Sequence, residues 1–126
     1  DVTVVTYAYM LSFCLEAAQQ LEKEGISVEV IDLRTVDPLD EETFLTSVQK
    51  THRLVVVQET WRDCSISSEV AAIAADKALY YLDAPIKRVT AEDVPMPFSP
   101  VLEEHVLPSV EKIVATIKSV YEGVPA

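Results

Sequence analysis

Four short runs of β-branched and apolar residues, each separated from the next by residues at helical spacing, constrain this chain more than any other feature. The first, VTVVTYA (2–8), is apolar at nearly every position instead of every second one. That is the pattern of a strand covered on both faces. SVEVIDLR (27–34) reads as a second strand, RLVVVQE (53–59) as a third that is apolar through its middle, and IKRVTA (86–91) as a fourth. Between the first two, Leu11, Cys14, Leu15, Ala18 and Leu21 recur at helical spacing, and Gly25 is placed to end that helix in a left-handed cap. Asp37-Pro38 marks a turn, and Asp40 is expected to cap a helix running to about Lys50 that buries Phe44 and Val48. Ser65, Ser67 and Ser68 offer caps for a helix carrying Ile66, Val70, Ile73 and Ala74. Pro108 suits the first turn of a last helix whose stripe is Val110, Ile113, Val114, Ile117 and Tyr121. Strands alternating with helices predict an α/β fold: a three-layer sandwich with a mainly parallel sheet and helices on both faces. No repeat or low-complexity segment interrupts the pattern, and 126 residues suit one domain with its own core.

Charge and cysteine usage narrow the function classes. The net charge of −11 argues against a nucleic-acid or anionic-membrane surface and permits a basic protein partner, though acid that merely keeps the domain soluble explains it equally. Cys14 and Cys64 have no CxxC or zinc-finger spacing, and Cys14 falls on the expected apolar face of the first helix. A buried free thiol follows, which suits a reducing compartment. No apolar run approaches the roughly 20 residues needed to span a bilayer. The chain opens directly on a strand with no basic leader, so it is expected to be a piece of something larger.

Motifs that carry chemistry are scarce. The only glycines, Gly25 and Gly123, belong to no GxGxxG or P-loop pattern that could cradle a phosphate at a helix start. His52 precedes a strand and His105 lies in what reads as a polar loop, so both are expected to be surface residues and not ligands. The serines after Cys64 lack a GxSxG elbow, and helix capping explains them better. Glu59 and Trp61 end a buried strand, where ligands gather in open sheets, yet a solvated acid and a packed aromatic at a strand end explain them better. Catalytic, cofactor-binding and metal-binding residues are therefore all expected to be absent from this chain.

Two long stretches carry a resemblance. CLEAAQQLEKEGISVEVIDLRTVDPLDEETFLTSVQKTHRLVVVQETW is similar to the start of the transketolase C-terminal domain in 2-oxoacid dehydrogenase decarboxylating components. YLDAPIKRVTAEDVPMPFSPVLEEHVLPSVEKIVATIKSVY resembles the end of the pyruvate dehydrogenase β subunit. LRTVDPLD is common across thiamine-diphosphate enzymes, whereas LDAP followed by RVT and DVPMP points more narrowly to pyruvate. The resemblance implies a sheet of about five strands attached to a missing N-terminal pyrimidine-binding domain. It places thiamine diphosphate and magnesium between the α subunit and that N-terminal domain, with none bound here. It implies packing of β against β in an α2β2 tetramer, and a surface for the subunit-binding domain of the dihydrolipoyl acyltransferase. The compartment would be the bacterial cytoplasm, or the mitochondrial matrix or a plastid in a eukaryote. One departure is clear: relatives carry glycines after the third strand, whereas QETWRDCSISSEVAA has none.

Within YLDAPIKRVTAEDVPMPF (81–98), the acid of the LDAP motif is Asp83, and the resemblance makes it the partner-binding residue. The alternative role for Asp83 is that of a turn former before the fourth strand. DVPMPF reads as a rigid extended segment, wall or interface in character, since a residue before proline is steered out of the helical region. The favoured function is the C-terminal domain of a pyruvate dehydrogenase β subunit. The alternatives are a branched-chain oxoacid or acetoin dehydrogenase β subunit, and an acidic interaction domain with no enzymatic assembly.

Overall fold

The structure, a computed structural model, describes residues 1–123. Strands β1 (Val2–Thr6), β2 (Val28–Asp32), β3 (Leu54–Trp61) and β4 (Lys87–Ala91) form one parallel sheet in the order β2-β1-β3-β4. Helices α1 (Met10–Lys23), α2 (Glu41–Thr51) and α3 (Ile66–Lys77) lie between the strands, and a 3-10 turn (Leu79–Tyr81) follows α3. Helices α4 (Pro100–Val106) and α5 (Val110–Glu122) come after β4. Parallel neighbours cannot be joined by a tight hairpin, so each connection crosses over through a helix. The three-layer α/β fold is the one the alternation predicts.

The sheet corrects the expected strand count. It has four strands among the described residues, where the resemblance implied five. After β4 the chain carries Pro95 and Pro97, which have no N–H to give a ladder, and it runs irregularly into α4. His105 accordingly lies on an exposed face of a short helix and not in a loop.

Alternate residues of the central strands face opposite layers. Val2 and Val4 of β1, with Val55 and Val57 of β3, pack under Met10, Cys14, Ala17 and Leu21 of α1 and Ile113 and Ile117 of α5. Val5, Leu54 and Val56 face the other way, against Phe44 and Val48 of α2 and Val70 and Ala74 of α3. The buried stripe of α1 is thus Met10, Cys14, Ala17 and Leu21, displaced around the helix from the expected Leu11, Leu15 and Ala18; Leu15 is exposed. Each fully buried Val, Leu or Ile contributes about 1.5–3 kcal/mol, and the two clusters support the fold with no cross-link.

Local signals explain the element ends. Asp40 accepts from the Thr43 N–H at 3.3 Å and caps α2, worth about 1 kcal/mol. Gly25 follows α1 at φ +84°, the left-handed conformation expected of it. His52 takes the corresponding place after α2 at φ +66°, its N–H on the Val48 carbonyl. Pro108 precedes α5 instead of sitting in its first turn, because Ser109 caps that helix by accepting from the Lys112 N–H. β1 ends at Thr6, two residues short of the expected strand, where Ala8 turns the chain at φ +54°. The buried Thr3 hydroxyl meets Ser47 Oγ at 2.6 Å and Thr51 Oγ1 at 2.7 Å, so α2 satisfies the polar group that β1 turns toward it. No helix among the described residues is long and apolar enough to cross a membrane.

Cys14 is 1% exposed, and burial pushes its thiol from 9.0 up to about 11; the neighbouring Thr6 hydroxyl, buried with no hydrogen-bond partner, opposes this only weakly. An unfolded thiol ionises near 9.0 while the folded one stays neutral, so stability is intact below pH 9 and falls between pH 9 and 11. Each tenfold change in proton affinity is worth about 1.4 kcal/mol, so the loss approaches about 2–3 kcal/mol. Urea melts of wild type at pH 8 and pH 10.5 should differ more than those of Cys14→Ala. A thiol reagent should label the exposed Cys64 at once and Cys14 only after unfolding; immediate labelling of both would contradict the buried assignment.

Candidate functional site

In the order β2-β1-β3-β4 the chain goes to one side of β1 to form β2 and returns to the other side to form β3. The sheet therefore changes direction between β1 and β3, and the crevice at their C-terminal ends is where open α/β sheets take ligands. A cleft of about 760 Å³ lies there, with Tyr7 from the end of β1, Glu59 and Trp61 from β3, and Cys64, Glu69 and Met96 around it.

Its walls follow from an irregularity in β3. Val57 pairs with Val89 and Trp61 with Ala91, four steps along β3 against two along β4. The surplus residues bulge, and a bulge re-aims the side chains around it. Gln58 turns inward and is fully buried, while Trp61 turns outward and is half exposed. Gln58 Oε1 accepts from the Ser67 N–H at 2.9 Å, and its Nε2 donates to the Trp61 carbonyl at 2.8 Å. The indole N–H of Trp61 reaches the Val94 carbonyl at 3.0 Å and ties the segment after β4 to the bulge. The Arg62 carbonyl accepts from Ser65 Oγ, Ser68 Oγ and Arg88 Nη1.

These bonds account for the turn without glycine. Cys64 supplies the left-handed residue at φ +50°, and the serines fasten the turn instead of capping α3 directly. The residue that serves the α3 N-terminus is Gln58, which no motif or spacing in the sequence singles out. With that amide on one of the helix's free N–H groups, the end most suited to an anion is partly filled by the protein itself.

The remaining candidates stand apart from this cleft. Asp83 is exposed at the opposite end of the sheet, in the turn ahead of β4. Backbone holds that turn: the Asp83 N–H donates to the His52 carbonyl at 2.8 Å, and His52 Nδ1 meets the Tyr81 carbonyl at 2.7 Å. His52 is therefore a clip between α2 and the 3-10 turn, a partnership that spacing could not reveal. No histidine stands beside Cys64 or Ser65 in the cleft. Among the described residues no three His, Cys, Asp or Glu side chains converge as metal ligands. The charged side chains lining the cleft are the carboxylates Glu59, Asp63 and Glu69, a set that repels a diphosphate and does not fit one.

Replacing Gln58 by Met would leave the Ser67 N–H and the Trp61 carbonyl without partners at similar side-chain volume. The expected loss is about 1–3 kcal/mol in a denaturant melt. The fluorescence of Trp61, the single tryptophan, should shift with it. A change below about 0.5 kcal/mol with unaltered fluorescence would remove Gln58 from its role in holding the bulge.

Comparison with known proteins agrees with the fold. Residues 1–113 match the family model described as transketolase, C-terminal domain. Acetoin:2,6-dichlorophenolindophenol oxidoreductase subunit beta of Bacillus subtilis (strain 168) is 49% identical over 115 residues, covering 91% of this chain and 34% of that protein. The mitochondrial pyruvate dehydrogenase E1 component subunit beta of Dictyostelium discoideum is 46% identical over 95% of this chain and 34% of its own length. The 2-oxoisovalerate dehydrogenase subunit beta of Bacillus subtilis (strain 168) is 44% identical over 97% and 38%. A solved structure titled split gene transketolase, inactive beta4 tetramer, superposes with a TM-score of 0.85 at 27% identity, over 99% of this chain and 40% of that one. The chain spans little more than a third of the length of these curated relatives. With its parallel sheet, its helices on both faces and this match across most of its length, the chain belongs to the transketolase C-terminal domain family.

Proposed function

We propose that this chain is the C-terminal domain of the β subunit of a thiamine-diphosphate-dependent 2-oxoacid dehydrogenase, and that pyruvate is the oxoacid. The observation that carries the class is the identity of 44–49% to β subunits of acetoin, pyruvate and 2-oxoisovalerate enzymes over more than nine-tenths of the chain. The LDAP, RVT and DVPMP motifs favour pyruvate within it. Acetoin is the second reading, favoured by the 49% relative. A stand-alone acidic interaction domain has no observation of comparable weight behind it.

In this reading the domain assembles and docks, and the diphosphate and magnesium are held by the α subunit and the N-terminal domain of β. Exposed Val94, Met96 and Phe98 support an assembly role: Phe98 is fully exposed, as expected of a side chain that a neighbouring subunit covers. The acyltransferase's subunit-binding domain meets Asp83. The backbone already holds that turn, so the carboxylate is free for a cation on the partner. The pure 126-residue chain should release no carbon dioxide from pyruvate with thiamine diphosphate and magnesium, whereas the complete α2β2 enzyme should. Turnover by the chain alone, or micromolar cofactor binding by calorimetry, would overturn the assignment.

Docking gives a sharper test. Asp83→Asn should keep the fold and weaken binding of a cognate subunit-binding domain, measured by titration at low and high salt. A cation pair desolvated on docking costs roughly 2–5 kcal/mol when cut, and a rim pair about 1 kcal/mol or less. Screening over about 8 Å at physiological ionic strength should narrow the difference as salt rises. Equal affinities at low salt would exclude Asp83 from the interface.

A further inference from the structure

At the C-terminal end of the sheet, away from Asp83, a second cleft of about 650 Å³ lies between the start of α1, α4 and the start of α5. Its floor is apolar. Tyr9 and Phe13 set their rings 5.3 Å apart, and Val101, Leu107 and Pro108 line the facing wall. Tyr9 and Val101 are both more than half exposed, so covering them would bring a hydrophobic gain that the chain alone does not realise. Carboxylates edge the floor: Glu103 and Glu104 on α4 and Glu111 on α5, with His105 beside them. None of the three acids takes part in an ion pair among the described residues, although five cations of the chain pair with other carboxylates.

We infer that this groove docks a basic amphipathic helix of another polypeptide, its apolar side chains on the Tyr9–Phe13 floor and its lysines or arginines against the three carboxylates. Charge selects the occupant. A second copy of this chain is the other apolar candidate, but a two-fold contact through this groove would set the same acids against one another. Like charges so juxtaposed cost several kcal/mol. An apolar trough rimmed by one sign of charge matches a helix with apolar anchors at i, i+3, i+4 and i+7 and the opposite charge on its flanks.

The probe is a fluorescein-labelled synthetic helix of roughly 18 residues with leucines on one face and lysines on the other, alongside a twin carrying glutamates for the lysines. Anisotropy titration on the 126-residue chain should show the lysine peptide bound and the glutamate peptide not. The triple variant Glu103→Lys, Glu104→Lys, Glu111→Lys should weaken the lysine peptide at least about ten-fold, and Val101→Asp comparably; all four sites are exposed, so the fold should hold. The same three reversals at Glu42, Asp76 and Glu22, exposed acids outside the groove, separate a site from general attraction to a chain of charge −11. Equal weakening by the control triple, or no effect of the groove variants, overturns the proposal. A monomer–dimer equilibrium in sedimentation that Val101→Asp abolishes would also overturn it, and would give the groove to a second copy.

Discussion

The sheet requires β1 and β3 to be dry on both faces, and most of the molecule follows from that. Parallel strands take their connections through helices, and a helix on each face removes both sides of the central strands from water. Val4 and Val5, adjacent in sequence, serve opposite cores. Polar side chains on these strands then need partners inside, and of the β1 threonines Thr6 has none. Thr3 finds its partners in Ser47 and Thr51 of α2, and those hydroxyls fix where α2 lies along β1. A hydroxyl stranded at that depth would cost about 1–3 kcal/mol, comparable to the gain from burying a valine.

The same constraint shapes the irregular part of the sheet. β3 is apolar and dry up to Val57, and Gln58 is the first residue whose side chain must make polar contacts while still inside. Its amide finds them on Ser67 and the Trp61 carbonyl. That fixes the bulge, and the bulge turns Trp61 outward to hold the segment after β4. The exposed surface around Val94, Met96 and Phe98 is therefore positioned by a buried glutamine on the neighbouring strand.

Periodicity makes the layers legible from residues alone, because burial on two faces leaves strands such as Val55–Val57 without polar positions. Asp40, Gly25 and the Ile113–Ile117 part of the α5 stripe are readable for similarly local reasons, but α5 buries Val120 and leaves the expected Tyr121 exposed, with Arg53 over its ring. What stays hidden is relational. The expected α1 stripe is displaced because Leu11 and Leu15 are as apolar as Met10 and Ala17, and only the sheet decides which face is covered. Helix α4 escapes the periodicity because seven residues following two prolines carry too few repeating positions. At the candidate sites, His52 and Gln58 derive their roles from partners 29 and 9 residues away, through a carbonyl and an N–H that nearly any residue type would supply. The fifth strand belongs to the resemblance and not to the residues, whose pattern shows four.

Charge also has a direction in this fold. Of the ten cationic side chains, five are in ion pairs, Arg53 lies 5.5 Å over the Tyr121 ring and Arg88 is committed to the Arg62 carbonyl. Positive charge is thus largely engaged within the domain, while the surplus of carboxylates faces outward. Individually such surface pairs add little to stability, about 0–1 kcal/mol each, so the arrangement matters more for what approaches the domain than for what holds it together. Apolar patches on a surface of this sign favour partners that bring cations, and resist association with copies of the same surface unless the apolar area buried outweighs the repulsion. In the proposed reading, the fully exposed Phe98 serves the second kind of contact, and Asp83 and the groove at Tyr9 the first. With Asp83 ahead of β4 and the groove beyond the C-terminal ends of the strands, the dry sheet would, in that reading, act as a rigid spacer between two partner surfaces at opposite ends.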